Sequence, residues 1–137
     1  MSITVDKNNP VLDSRDNCNA IIKGDRLVLG CNTSKIPSGV RKIDEYAFAY
    51  CSKLREIIIP EGVEYIGRNA FERCYSLETV KLPSSLLTLD KHENFGRCTS
   101  LRSIYIPKNV TSIPSSIFNG CVSLNEIVVD KRNKKYD

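Results

Sequence analysis

The sequence predicts a solenoid: stacked coils of about 23 residues, each contributing short parallel strands. Phe48, Phe71, Phe95 and Phe118 recur at steps that are equal to within one residue. Cys51, Cys74, Cys98 and Cys121 repeat with the same steps, as do Leu54, Leu77, Leu101 and Leu124. Pro37, Pro60, Pro83 and Pro107 form a fourth column with the same near-constant step. Self-similarity at a fixed period of roughly 20–50 residues marks a repeat architecture, and four columns in one register leave no room for coincidence.

One unit shows how each coil is built. Leu54-Arg55-Glu56-Ile57-Ile58-Ile59-Pro60 fits the L-x-x-L-x-L strand of a leucine-rich repeat, whose period is about 20–29 residues. Alternation turns Ile57 and Ile59 inward and Ile58 outward. Pro60 has no N–H to give a ladder and ends the strand. A second extended piece carries Val63 and Ile66 inward. Arg68–Cys74 places Ala70, Phe71 and Cys74 at i, i+1 and i+4, a pattern that suits one short helical turn. A single coil cannot bury its own apolar stripe, so each needs a neighbour above and below. The fold class expected is therefore a strand-rich leucine-rich-repeat solenoid of the α/β repeat class, wound as a right-handed superhelix. Equivalent side chains stack about 4.8 Å apart into ladders of Phe, Leu and Cys.

The extra residue of the third unit falls between Leu89 and Phe95, in Asp90-Lys91-His92-Glu93-Asn94, where Asn94 also replaces the Ala of Ala47-Phe48 and Ala70-Phe71. A local bulge is expected there, with the flanking strands in register.

The chain divides into an enlarged first coil at 1–35, four regular repeats at 36–129, and the start of a further module at 130–137. Within the first coil, Ala20-Ile21-Ile22 and Leu27-Val28-Leu29 flank Lys23-Gly24-Asp25-Arg26 and predict a β-hairpin. Ile3-Thr4-Val5-Asp6-Lys7 is echoed near the C-terminus by Ile127-Val128-Val129-Asp130-Lys131, with Asn9 matching Asn133 and Asp13 matching Asp137. This duplication is expected of a segment from a longer array. A solenoid ordinarily ends in polar caps; only the Lys131–Lys135 charge cluster stands at the C-terminal side. Open strand edges there make self-association an expectation.

With these columns in place, the units resemble the BspA-like leucine-rich repeats: Leu-x-x-Ile-x-Ile-Pro, Val-x-x-Ile, Ala-Phe and Cys-x-x-Leu. Asn8–Ile22 looks like the non-repeat insert that punctuates such arrays. The resemblance implies a surface or secreted adhesin-like protein, of the kind found on anaerobic host-associated bacteria and some protists. It implies a protein or glycan partner at the cell surface, host matrix proteins among them, and an extracellular or cell-surface location. It brings no catalytic motif and no defining binding residue. The alternative reading is a structural spacer within a longer array.

The chemistry of the chain favours neither catalysis nor a cofactor. Four of the six cysteines stand at repeat positions, a whole coil apart, unlike the close spacing of a zinc knuckle. Lying between the inward Phe and Leu columns, they read as buried reduced thiols. Cys18 and Cys31, placed symmetrically about the hairpin turn, are the candidate disulfide pair, with reduced thiols as the default. His92, the single histidine, sits in the inserted segment away from the interior Cys98, so no Cys-His pair is expected. No serine occupies a nucleophile elbow, and no Gly-rich phosphate loop occurs. No metal or cofactor is expected.

A net charge of +4 permits an acidic partner without requiring one. The column Tyr50, Arg73, Arg97, Gly120 and the column Arg55, Glu78, Arg102, Asn125 make no continuous basic stripe, so nucleic acid is not the expected partner. No run approaches the roughly 20 apolar residues of a membrane span, and Met1–Asp6 lacks the form of a signal peptide. The partner surface expected is the outer face of the first strands. Its columns are Ile58, Lys81, Tyr105, Val128 and Glu56, Thr79, Ser103, Glu126.

Overall fold

The computed structural model describes residues 1–136. Among the described residues nine short strands follow in chain order: β1 (Ile21–Lys23), β2 (Arg26–Leu29), β3 (Lys42–Ile43), β4 (Glu56–Ile58), β5 (Tyr65–Ile66), β6 (Thr79–Lys81), β7 (Thr88–Leu89), β8 (Ser103–Ile106) and β9 (Glu126–Val129). β1 and β2 form the expected antiparallel hairpin, closed around Gly24 at φ +61°. Every other pairing between these strands is parallel and joins successive coils.

The second extended pieces build one sheet, β1-β2-β3-β5-β7. Leu27, Ile43, Ile66 and Leu89 stand in register on its inner side, all buried. The first strands build the facing layer as two pairs, β4-β6 and β8-β9. Between the layers run the Leu54, Leu77, Leu101 column and the Ile57, Val80, Ile104 column, fully or nearly fully buried.

The segments around the repeat Phe residues close each coil, and there the chain departs from expectation. Arg68–Cys74 is not a helical turn; among the described residues the one helical element is the 3₁₀ piece Arg15–Asn17. Tyr46, Phe48 and Tyr50 give their N–H groups to the carbonyls of Arg68, Ala70 and Glu72 one coil onward, at 3.0, 2.7 and 2.8 Å. Phe71 and Arg73 do the same to Asn94 and Gly96. The donors alternate: Ala70, Glu72 and Cys74 close single turns onto Gly67, Asn69 and Phe71, while Phe71 and Arg73 are spent on the next coil, so no continuous helix forms. The backbone agrees: Tyr46, Tyr50, Asn69, Arg73 and Arg97 lie at φ between 53° and 63°, in the left-handed region that interrupts any right-handed turn.

The Phe column forms a continuous stack, with ring centroids 5.1, 5.4 and 6.0 Å apart and planes within 17° of parallel. Gly30 closes its N-terminal end, where a Cβ would run into the Phe48 ring. The extra residue of the third unit is absorbed between Leu89, still paired with Ile66, and Phe95, whose N–H reaches Ile117 O at 3.1 Å. Tyr65 Oη braces this segment by donating to Asp90 Oδ2 at 2.6 Å. Asn94 is fully buried and donates to Gly67 O at 2.6 Å.

The duplicated ends share one turn. Asn9 N–H donates to Asp6 O and Asn133 N–H to Asp130 O, at 2.9 and 2.7 Å. Asn9 Oδ1 accepts from the second and third N–H groups after it, Val11 and Leu12, as Asn133 Oδ1 accepts from Lys135 and Tyr136. Their surroundings differ. Asn9 is exposed, whereas Asn133 is buried with its Nδ2 on the carbonyls of Pro107 and Val110, both at 3.0 Å. Asn133 thus seals the fourth coil, a polar closure beyond the charge cluster. The counterpart of Asp13 at Asp137 lies outside the described residues.

Candidate functional site

The eight first-strand residues stand where strand alternation puts them. Glu56 is in register with Thr79 and Ile58 with Lys81; Ser103 is in register with Glu126 and Tyr105 with Val128. All eight are exposed, while Ile57, Val80 and Ile104 between them are buried. Ile58, Tyr105 and Val128 therefore present large apolar surface to solvent beside Lys81.

The two outer faces differ in electrostatics. Around the second-strand sheet, charges are paired from coil to coil: Arg26 with Asp44 at 2.8 Å, Arg41 with Glu64 at 2.6 Å and Arg68 with Glu45 at 2.9 Å. Arg68 also lies over the Tyr46 ring and Arg73 over the Tyr50 ring, at 5.9 and 5.0 Å. On the first-strand face, the sole ion pair among these eight described residues is Lys81 with Glu56 at 3.5 Å, both side chains well exposed. Exposed pairs of this kind contribute little to stability. Tyr105 is tuned by a neighbour: the nearby Asp130 carboxylate raises the pKa of its hydroxyl. Asp130 itself is held well below the carboxylate range, first by the Arg132 guanidinium, which it meets at 2.7 and 3.0 Å, then by the Arg132 N–H.

Two hollows went unread in the sequence. One, of about 520 Å³, lies between residues 32–36 and β4. The other, of about 700 Å³, gathers Lys108, Arg132, Lys134 and Lys135 beside Asn109. Its cations come from two neighbouring coils, so the Lys131–Lys135 cluster alone did not reveal it.

All six cysteines are free thiols. Cys18 and Cys31 are buried without a bond between them: Cys18 Sγ faces Ala20 O at 3.7 Å, and Cys31 Sγ accepts from Asn19 Nδ2 at 3.1 Å. Cys51, Cys74 and Cys98 are buried in their column and Cys121 is half-buried. Among the described residues no three His, Cys, Asp or Glu side chains gather as a metal site. His92 is exposed, apart from the buried Cys98. Among the described residues no helix is long and apolar enough to cross a membrane.

Stacked parallel coils with a long solvent-facing sheet define a repeat solenoid, a class whose extended surfaces serve macromolecular partners. This chain belongs to the BspA-type leucine-rich-repeat family, whose repeat model matches residues 29–137 as six copies. No curated protein sequence matches the chain. Among solved structures, a leucine-rich cell surface protein from Faecalibacterium prausnitzii is similar at 25% identity and a TM-score of 0.78, over 94% of this chain and 41% of that one. The pneumococcal vaccine antigen PcpA superposes with a TM-score of 0.79 at 23% identity, over 96% of this chain and 33% of its own. A leucine-rich-repeat protein from Eubacterium ventriosum shares the fold at 19% identity and a TM-score of 0.62, over 93% of this chain and 42% of that one. The chain thus spans less than half the length of each of these proteins.

Proposed function

We propose that this chain is a non-catalytic interaction scaffold that binds a protein or glycan partner at the cell surface through its first-strand outer face. One observation carries the reading: this face leaves the large apolar side chains of Ile58, Tyr105 and Val128 exposed, with the loose Lys81–Glu56 pair beside Ile58 and the Arg132–Asp130 pair beside Tyr105. Aromatic side chains flanked by mixed polar groups are the composition of binding hot spots. The similarity to a leucine-rich cell surface protein supports the surface location, and host matrix protein or glycan is the ligand class that location favours. The right-handed superhelical sense belongs to the same reading. So does self-association through β9, where Ile127 is 49% exposed.

The test is a binding screen of the chain against matrix glycoproteins, glycans and a duplex-DNA control at low and high salt. Binding to a protein or glycan that survives salt and disappears with Tyr105→Ala plus Lys81→Glu is the expected result. No binding to any of them would instead make this segment a spacer. Light scattering over a concentration series checks the self-association, for which a monomer throughout is the contrary outcome.

A further inference from the structure

We propose that the cleft between residues 32–36 and β4 is a seat for an extended peptide, which adds a strand to the open edge of β4. In the regular coils the first strands pair as β4-β6 and β8-β9, with β6 lying beside β8 without a shared ladder, whereas the segment one coil before β4 forms no strand at all. Two residues account for the missing strand of the first coil. Cys31 stands in the column of Leu54, and Ser34 in the column of Ile57, Val80 and Ile104. Ser34 Oγ accepts the Cys31 N–H at 2.7 Å and donates to Asn19 O at 2.5 Å, while Ser34 N–H returns to Cys31 O at 3.1 Å. These bonds fold 31–34 into a turn, and a turn cannot pair along β4.

The edge of β4 is consequently unfilled. Arg55 O accepts from Glu78 and Thr79, and Ile59 N–H donates to Lys81 O, so the odd-numbered residues serve the ladder with β6. The alternation of a parallel ladder turns the N–H and C=O of Glu56 and Ile58 the other way, toward the cleft. Among the described residues no backbone group answers them. The one hydrogen bond that spans the gap among the described residues is from Lys53 N–H to Asn32 Oδ1 at 3.1 Å, at its mouth.

What these groups recognise follows from their spacing. Donor and acceptor pairs two residues apart along one edge are the pattern an extended chain satisfies, as in strand addition to a sheet edge. The cleft holds about 520 Å³, and its floor is Ile36, Leu54 and Ile57. The occupant is therefore an extended peptide with an apolar side chain directed onto that floor. Side-chain selection by the floor and main-chain affinity from Glu56 and Ile58 divide the labour. The edge site uses the main chain of Glu56 and Ile58, whose side chains belong to the outer face, so the two proposals are told apart by Thr33→Trp, which lies off that face, and by Tyr105→Ala, which lies on β8 away from the cleft.

Linear heptapeptides are selected by phage display on the intact chain, and the selected peptides are synthesised and titrated into isotope-labelled protein. Amide shifts at Glu56, Ile58 and residues 33–36 are expected, with slowed exchange of the Ile58 N–H. Ile58→Pro removes that donor and leaves the bonds of β4 to β6 in place; affinity should fall on the order of tenfold, as loss of one or two hydrogen bonds requires, and Ile58→Val should restore it. Thr33→Trp, which fills the cleft from an exposed position, should abolish binding without touching β4. Failure to select any peptide would overturn the proposal. So would binding indifferent to both variants, or shifts confined to Tyr105 and Val128. Loss of binding in Tyr105→Ala plus Lys81→Glu alone would credit the outer face and reject the cleft.

Discussion

The thiol of Cys74 donates to the carbonyl oxygen of Phe48, 3.2 Å away in the preceding coil. The same carbonyl accepts the N–H of Cys51 at 3.1 Å, so both of its lone pairs are used. The motif recurs: Cys98 Sγ reaches Phe71 O at 3.3 Å and Cys121 Sγ reaches Phe95 O at 3.0 Å. Cysteine at this position is thus a small core residue that carries a donor, and it joins each coil to the one before it. Cys74→Ala loses both the contact volume and the donor and should cost about 2 kcal/mol. Cys74→Ser keeps a donor and should recover part of that loss. Urea unfolding of both variants checks the order; equal losses would show that the donor contributes nothing.

The reactivity of these thiols follows from their burial. Desolvation pushes Cys74 up to about 12 and Cys51 up to about 11. Since the thiolate is the nucleophile, an alkylating agent at pH 8 should leave both unlabelled in the folded chain. Unfolding in denaturant without reductant should expose six reactive thiols, because all six are free. Mass spectrometry counts the adducts, and a count of four would mean that Cys18 and Cys31 are bonded after all.

Asp130 makes stability depend on acid. Its carboxyl lies below the unfolded value of about 3.9 because the Arg132 guanidinium and backbone N–H are hydrogen-bonded to it, with the Tyr105 hydroxyl nearby. A depressed carboxyl stabilises the fold above the unfolded pKa, and that contribution is lost as pH falls through the folded value. Melting temperature should therefore drop below about pH 4 in the parent chain, and less steeply in Asp130→Asn. Identical acid limbs in the two proteins would remove Asp130 from the account.

The duplicated Asn9 and Asn133 offer a matched comparison. Asn133 uses its amide fully, with two acceptors below it and two N–H groups above. Asn133→Ala orphans buried backbone groups of the fourth coil and should cost roughly 3 kcal/mol. Asn9 makes only the two exposed contacts to Val11 and Leu12, and Asn9→Ala should cost within about 1 kcal/mol. Thermal unfolding of the pair decides it, and equal losses would contradict the role given to Asn133.

Much of this was legible in the sequence because stacking turns period into position. The Phe, Leu and Cys columns, the hairpin around Gly24 and the outward set Ile58, Lys81, Tyr105 and Val128 all follow from spacing and alternation. The coil-closing segment was misread for a physical reason: Ala70, Phe71 and Cys74 have helical spacing, but spacing does not say where backbone donors go. The cleft beside β4 was missed because Cys31 was read as a partner for Cys18, and the polar Ser34, one period before Ile57, was not weighed. Only the turn drawn by the Ser34 hydroxyl separates that segment from its neighbour.

One signal of the misread segment was present in the column Tyr50, Arg73, Arg97, Gly120. Read for charge, it shows an interrupted basic row. Read for backbone, its glycine marks a left-handed position, and all four residues adopt φ between 59° and 75°. An L-residue there bears a steric cost of about 1–2 kcal/mol that glycine avoids, offset in part by the entropy glycine loses on folding. Arg97→Gly keeps the backbone bond from residue 97 to Asn119 O, 2.7 Å in the parent. It should therefore stabilise the chain by about 0.5–1 kcal/mol, whereas Arg97→Val, β-branched at the same φ, should destabilise it by more than that. Denaturant midpoints of the three proteins give the ordering. If Arg97→Gly melts below the parent, the arginine side chain contributes more through its packing on Gly120 than the left-handed backbone costs.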